Sequence, residues 1–230
     1  MILERLPASL ARTRFILASA SPRRIELLRQ IPGLPPIVVR PSSFAEDLPF
    51  ASFDGAAAYA RATAAAKADD VCAQMEAEGG EEGEEVLIVA ADTVVESASG
   101  ALLEKPADDA HAAAMLTSLA GTTHSVHTGV AIRVGRRGGG GGGAWRARAA
   151  RDFAVTTRVA FAPLSVGEIE AYVRTGEPAG KAGAYGIQGA ASAFVSGIEG
   201  CYFNVVGLPL HALAGALGDM VERGEVGVAS

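Results

Sequence analysis

The feature that most constrains the fold is VLIVAA, residues 86–91, an unbroken apolar run inside EVLIVAAD. It is far shorter than the roughly 20 residues that cross a bilayer, and its β-branched content predicts a buried strand. Asp92 follows it directly. Open α/β sheets place their chemistry where buried strands end, because those ends face the ligand crevice. A carboxylate that only caps a turn is the competing reading of Asp92.

The second constraint is FILASASPRRIELLRQ, Phe15 to Gln30. A short apolar run leads into a serine-rich turn with two arginines, and Ile25, Leu27 and Leu28 then recur at helical spacing. Ser21 and Pro22 read as an N-cap followed by proline at the first helical position, so a helix is predicted from Pro22. Arg23 and Arg24 fall in its first turn, where the helix dipole is already positive and free amide N–H groups favour an anion. Such a turn, with the hydroxyls of Ser19 and Ser21 beside the guanidiniums, suits a phosphate group. Two solvated arginines on a surface helix would leave the same trace.

Composition narrows the partners. The chain has 230 residues, 49% of them apolar, and a formal net charge of −6, which reads as a globular chain unsuited to a nucleic-acid polymer. Phosphate chemistry must then occupy a local basic pocket on an acidic protein. No apolar run suits a membrane, and MILERLPASLARTRF lacks the apolar core of a secretory signal, so a cytoplasmic location is expected. An organellar-targeting reading of those arginines and the serine stays open. Cys72 and Cys201 show no CxxC spacing and are expected as buried thiols.

Along the chain, residues 37–39 predict a short strand, and a loop carrying Glu46 and Asp47 follows. Residues 53–78 form an Ala-rich helical stretch with Arg61 and Lys67, ending in an acidic Gly-rich linker, about 76–85, expected to be mobile. Residues 108–119 predict a helix with Met115, Leu116 and Leu119 on one face. In HSVHTGVAIRV, a strand-like pattern, His124 and His127 point to opposite faces, which argues against a shared metal. The glycine run, Gly138 to Gly143, is expected as a flexible hairpin loop within an insertion of about 136–146, with the strand resuming from Phe153 to Phe161. Helices are predicted at about 165–175 and 211–223. The glycine density between them suggests backbone that approaches a ligand or strand closely. These residues alone point to an α/β enzyme handling phosphate with Mg²⁺.

SASPRRIELL, AADTVV with LLEKP downstream, HSVHTGVAI and KAGAYGIQGAASAFVSGIEGCYFNVVGLPL resemble, in order, the motifs of the Maf family of nucleoside triphosphate pyrophosphatases. The resemblance spans about residues 16–217 of what is read as a single domain. It implies an elongated α/β fold related to the ITPase-like architecture, with a twisted mixed sheet, flanking helices and two lobes around a deep cleft. It also implies a homodimer, a divalent metal (Mg²⁺ or Mn²⁺), and cleavage of the α–β phosphoanhydride of a nucleoside triphosphate substrate. By this resemblance Asp92 is the catalytic acid/base and Glu46 its partner at the metal, with Asp47 as a substitute because the approach to Glu46 is longer than usual. Ser19, Arg24, Lys67 and Lys105 match the positions that hold the triphosphate, and Lys181 joins the substrate-binding set. Arg23, Thr93 and Gln188 match the dTTP/UTP subgroup, which implies dTTP, UTP and modified pyrimidine nucleotides. The Gln188 carboxamide can both donate to and accept from the O4/N3–H edge of uracil or thymine. The alternatives are a 7-methyl-GTP pyrophosphatase of the same family, or a nucleotide-binding regulator of cell division without turnover.

Overall fold

The computed structural model describes residues 9–78, 83–138 and 145–227. Among them, β1 (Thr13–Leu17), β2 (Ile37–Val39), β3 (Glu85–Glu96), β4 (Leu102–Leu103), β5 (Thr123–Arg137), β6 (Trp145–Phe161) and β7 (Val195–Glu199) form one mixed sheet. Its order is β2-β1-β3-β5-β6-β7, with β4 paired to the end of β3. β1 is parallel to both neighbours, and the remaining pairs are antiparallel. The flanking helices are α1 (Pro22–Arg29), α2 (Gly55–Glu78), α3 (Asp109–Leu119), α4 (Val166–Val173), α5 (Tyr202–Val206) and α6 (Leu210–Glu222).

The apolar run of β3 is continuous because both of its faces are covered. Leu87, Val89 and Ala91 join Leu27 and Leu28 of α1, Met115, Leu116 and Leu119 of α3, and Leu213 and Leu217 of α6 in one core cluster. Val86, Ile88 and Ala90 join Ala64, Ala68, Val71 and Met75 of α2 in another. Side chains alternate along a strand, so Asp92 inherits the α2 face and Thr93 the opposite one. The many alanines of α2 let it lie close against the sheet. Closest approach is at Gly129, the β5 partner of Asp92, where a Cβ would sit 2.1 Å from the Ala60 carbonyl oxygen.

Several expectations need correction. Asp92 is not at the end of its strand, since β3 runs on to Glu96. It is the neighbour that stops: β1 pairs with β3 only as far as Val89, and β4 takes up that edge again at Val95. Ser21 holds the N-cap position of α1 without a side-chain cap bond. Instead the Ser21 N–H donates to Ser19 Oγ at 3.2 Å. β6 starts at Trp145 rather than Phe153, because pairing with β5 continues to Arg137. Cys72 is buried but Cys201 only half-buried, and both are free thiols. Of the acidic linker expected to be mobile at about 76–85, Glu76–Glu78 form the end of α2 and Glu85 begins β3, while residues 79–82 lie outside the described residues, as does the glycine run apart from Gly138. His124 and His127 do face apart, one bonded to Tyr185 and the other to Thr156 and Glu96.

Two stability predictions come from this packing. Gly129→Ala forces backbone apart where α2 meets β5, so it should destabilise by about 1–3 kcal/mol or more, read as a lower denaturant midpoint. His124 is wedged edge-on between Phe161 and Tyr185, and burial pushes its pKa down to about 4. The unfolded chain therefore takes up a proton below pH about 6.5 that the folded ring refuses, and stability falls as pH drops from about 6.5 towards 4. The loss attributable to this ring should approach about 3 kcal/mol, and His124→Asn should flatten that slope in denaturation series run at pH 7 and pH 4.5.

Candidate active site

The gap left on the edge of β3 between Val89 and Val95 opens into a cleft of about 610 Å³. The β1–α1 turn supplies Ser19, Arg23 and Arg24, the loop after β2 supplies Glu46, and α2 supplies Lys67. β3 supplies Asp92 and Thr93, the stretch after β4 supplies Lys105, and the glycine-rich segment after α4 supplies Lys181 and Gln188. Each residue proposed in the sequence for catalysis, substrate or metal binding thus reaches the same cleft, apart from Asp47, which is exposed and does not line it.

Lys67 is the knot of the site. Its Nζ donates to Asp92 Oδ1 at 2.7 Å and lies 3.1 Å from Glu46 Oε1. Lys67 and Asp92 are both buried, 7% exposed in each case, so each charge depends on the other. Glu46 also meets Lys105, whose more exposed Nζ is 3.3 Å from Oε2. Partial burial raises the Glu46 pKa, but Lys67 and then Lys105 outweigh it and hold the carboxyl below its ordinary range. Glu46 adopts φ 56°, a left-handed conformation unusual for this residue type, which turns its carboxylate into the cleft.

Arg24 is held differently, by neutral acceptors. Its Nε donates to the Gly207 carbonyl at 2.9 Å, Nη1 to Ser19 Oγ at 3.2 Å and Nη2 to Thr93 Oγ1 at 3.0 Å. Thr93 Oγ1 lies 3.0 Å from Thr128 Oγ1, which donates to the Asn204 carbonyl at 2.9 Å. Since Thr128 gives its proton to Asn204, Thr93 must donate to Thr128, and the chain runs one way from guanidinium to carbonyl. Asn204 is fully buried and ties α5 to the sheet through the Val126 carbonyl at 2.9 Å and Thr157 Oγ1 at 3.1 Å. Burial pushes the Arg24 pKa below its usual value, Asp92 opposes this, Arg23 adds to it, and Glu46 opposes it. Among the described residues no carboxylate lies within ion-pair distance of Arg23 or Arg24.

Thr128, Asn204, Glu177 and Glu104 have structural roles that the sequence alone does not assign. Thr128 stands beside His127 in a motif whose histidines are its more conspicuous members, and Asn204 lies between Gly200 and Gly207 in a segment marked out by its glycines. Glu104 accepts from Tyr59 OH at 3.0 Å and, through its carbonyl, from Gly183 N at 3.2 Å, docking the glycine-rich segment beside β3. Lys181 donates to the Glu177 carbonyl, while burial and Arg23 lower its pKa and Glu177 counters them. Cations outnumber carboxylates along the cleft, so its lining is locally positive on a chain of net charge −6.

Comparison with known proteins agrees with this architecture. Residues 14–220 match the family model described as Maf-like protein. A protein of Moorella thermoacetica named dTTP/UTP pyrophosphatase is 46% identical over 202 residues, covering 86% of this chain and 90% of the relative. One of the same name from Anaeromyxobacter sp. is 46% identical over 201 residues, covering 87% and 86%. Another from Pelotomaculum thermopropionicum is 42% identical over 214 residues, covering 88% and 94%. A mixed sheet that opens beside Asp92, with the cleft residues contributed in this order and the match running over most of the chain, places the protein in the Maf family.

Proposed function

We propose that this chain is a nucleoside triphosphate pyrophosphatase acting on UTP, dTTP and related pyrimidine nucleotides. The observation that carries the reading is the convergence on one cleft of the Lys67–Asp92 pair at 2.7 Å with an arginine held only by neutral acceptors. The names of the relatives support the substrate class.

In this reading the triphosphate lies along Arg23, Arg24, Lys105 and Lys181, with Ser19 and the free amides at the start of α1 as further donors. Water attacks the α-phosphorus, its proton passes to Asp92, and the α–β anhydride bond breaks so that the bridging oxygen leaves with pyrophosphate. Lys67 orients Asp92 through the 2.7 Å contact, and the cations neutralise the leaving group. Among the described residues no group of three or more His, Cys, Asp or Glu side chains is set to hold a metal unaided. Glu46 and Asp92 nonetheless fit a cation that completes its shell from water and phosphate oxygens, as Mg²⁺ or Mn²⁺ does. Bound there, it would supply charge neutralisation at the phosphates. Gln188 at the cleft reads the pyrimidine edge.

Pyrophosphate release from a triphosphate panel with Mg²⁺ or Mn²⁺ tests the reading. Asp92→Asn should lower kcat by about 10²–10⁴ while UTP still binds. Tight UTP binding without turnover in the wild type would mean a nucleotide-binding regulator, and a preference for 7-methyl-GTP would overturn the pyrimidine assignment. Thr128→Val removes one of the two donors to the Asn204 carbonyl, which keeps Gly207 N, and leaves the Thr93 hydroxyl, still accepting from Arg24, with no acceptor for its proton. It should lower stability by about 1–3 kcal/mol and reduce kcat/KM for UTP, by loosening Arg24 without touching Asp92.

A further inference from the structure

We propose that Glu177 and Tyr172 are positioning residues for base selection, together forming a frame that sets where Gln188 meets the nucleobase. The inference rests on the pyrimidine reading above and deepens it.

The Gln188 carboxamide lines the cleft and has no protein partner among the described residues, so its own contacts do not fix it. Its backbone, in contrast, is pinned on both sides. Gly189 N donates to the Gly186 carbonyl at 3.0 Å, closing a tight turn around Ile187 and Gln188. At the near end of that turn Gly186 N donates to Tyr172 OH at 3.2 Å. At the far end Ala190 N donates to Glu177 Oε2 at 3.0 Å. The two anchors are joined, because Tyr172 OH donates to Glu177 Oε1 at 2.9 Å. Both ends of the turn therefore hang on one phenol–carboxylate unit.

That unit is itself fixed. Tyr172 is buried on α4 with its ring edge-on to Phe194, and burial raises its pKa, so the phenol stays a donor. Thr175 Oγ1 donates to the Tyr172 carbonyl at 2.6 Å and accepts from Glu177 N at 3.1 Å, bracing the acid from its backbone. The glycines of GIQG fit this arrangement. A Cβ at Gly189 would stand 2.1 Å from Glu177 Oε1, and one at Gly186 would stand 2.9 Å from Lys181 Cε. The turn has no side chains there because the carboxylate and the lysine stem occupy their place.

The chemical consequence concerns discrimination. Uracil and thymine present an acceptor at O4 and a donor at N3, and cytosine presents the reverse. A carboxamide that can rotate or shift serves either pattern, whereas one held at a fixed place and approach angle serves one of them better. Buried polar recognition discriminates strongly only when its geometry is held.

The experiment is steady-state kinetics on UTP, dTTP and CTP for wild type, Gln188→Ala, Glu177→Gln and Tyr172→Phe, with inhibition by inorganic pyrophosphate as a base-free probe. Tyr172→Phe keeps the ring against Phe194, which guards against a folding loss in Glu177→Gln. Both frame variants should lower the UTP-to-CTP ratio of kcat/KM by about fivefold or more, chiefly by raising KM for UTP. The pyrophosphate inhibition constant should stay within about twofold of wild type. An unchanged UTP-to-CTP ratio in both frame variants, with the wild type and Gln188→Ala differing clearly, overturns the frame and leaves the pyrimidine reading standing. Equal ratios in wild type and Gln188→Ala overturn Gln188 as the base reader and the frame with it, and no triphosphate turnover in the wild type overturns the pyrimidine reading as well.

Discussion

The structure depends on one ammonium group, Lys67 Nζ, placed between Asp92 and Glu46 at 2.7 and 3.1 Å. Removing two charges from water is expensive, and a buried pair often stabilises less than well-packed apolar side chains would. Its presence is therefore poor grounds for a stability role and better grounds for a site that needs charge. The pair also ties three separate pieces of chain together, since Lys67 comes from a helix, Asp92 from a strand and Glu46 from a loop in a strained left-handed conformation. Fixing Lys67 requires α2 to lie close to the sheet, and the small residues facing it make that possible, with Gly129 opposite Asp92 allowing the closest approach. Packing and electrostatics thus meet at neighbouring positions of two strands.

The cleft itself follows from unequal strand lengths. β3 is much longer than β1, so its edge loses a partner after Val89 and regains one at Val95. Residues in that interval are held rigidly by β5 on the other side while both faces approach the opening. Alternation then divides the work: Asp92 turns towards α2 and its lysine, and Thr93 turns towards α1 and its arginine. Two successive residues thereby serve two arms of the site, one paired with Lys67 and the other with Arg24.

Elements governed by local rules are legible in the amino-acid sequence. The buried strand, the proline-started helix and the face of α3 carrying Met115, Leu116 and Leu119 follow from periodicity and capping alone. Ser19, Arg23, Arg24 and Asp92 are legible from their places at a helix start and after a buried strand, whereas the other cleft residues are legible only through motif resemblance, because nothing in the spacing of Glu46, Lys67 and Asp92 says that they meet. What the sequence hides is pairing. The end of β1 relative to β3, the extension of β6 back to Trp145 and the Thr93–Thr128–Asn204 chain all depend on register between distant strands. Glycine density does signal close backbone approach, but not that a glutamate side chain fills the space beside Gly189.

Cations in the cleft fall into two groups, and the division bears on how a polyanion enters. Lys67 and Lys105 are already matched to carboxylates, so they contribute little net attraction at long range. Arg24 and Lys181 are held by carbonyls and hydroxyls, which fix their direction without cancelling their charge. An arriving triphosphate is attracted by the second group, whose donors are preorganised and lose little freedom on binding. Lys67 keeps Asp92 and Glu46 from repelling each other across the cleft. An acidic protein can in this way keep a phosphate site charged and open without spreading positive charge over its surface.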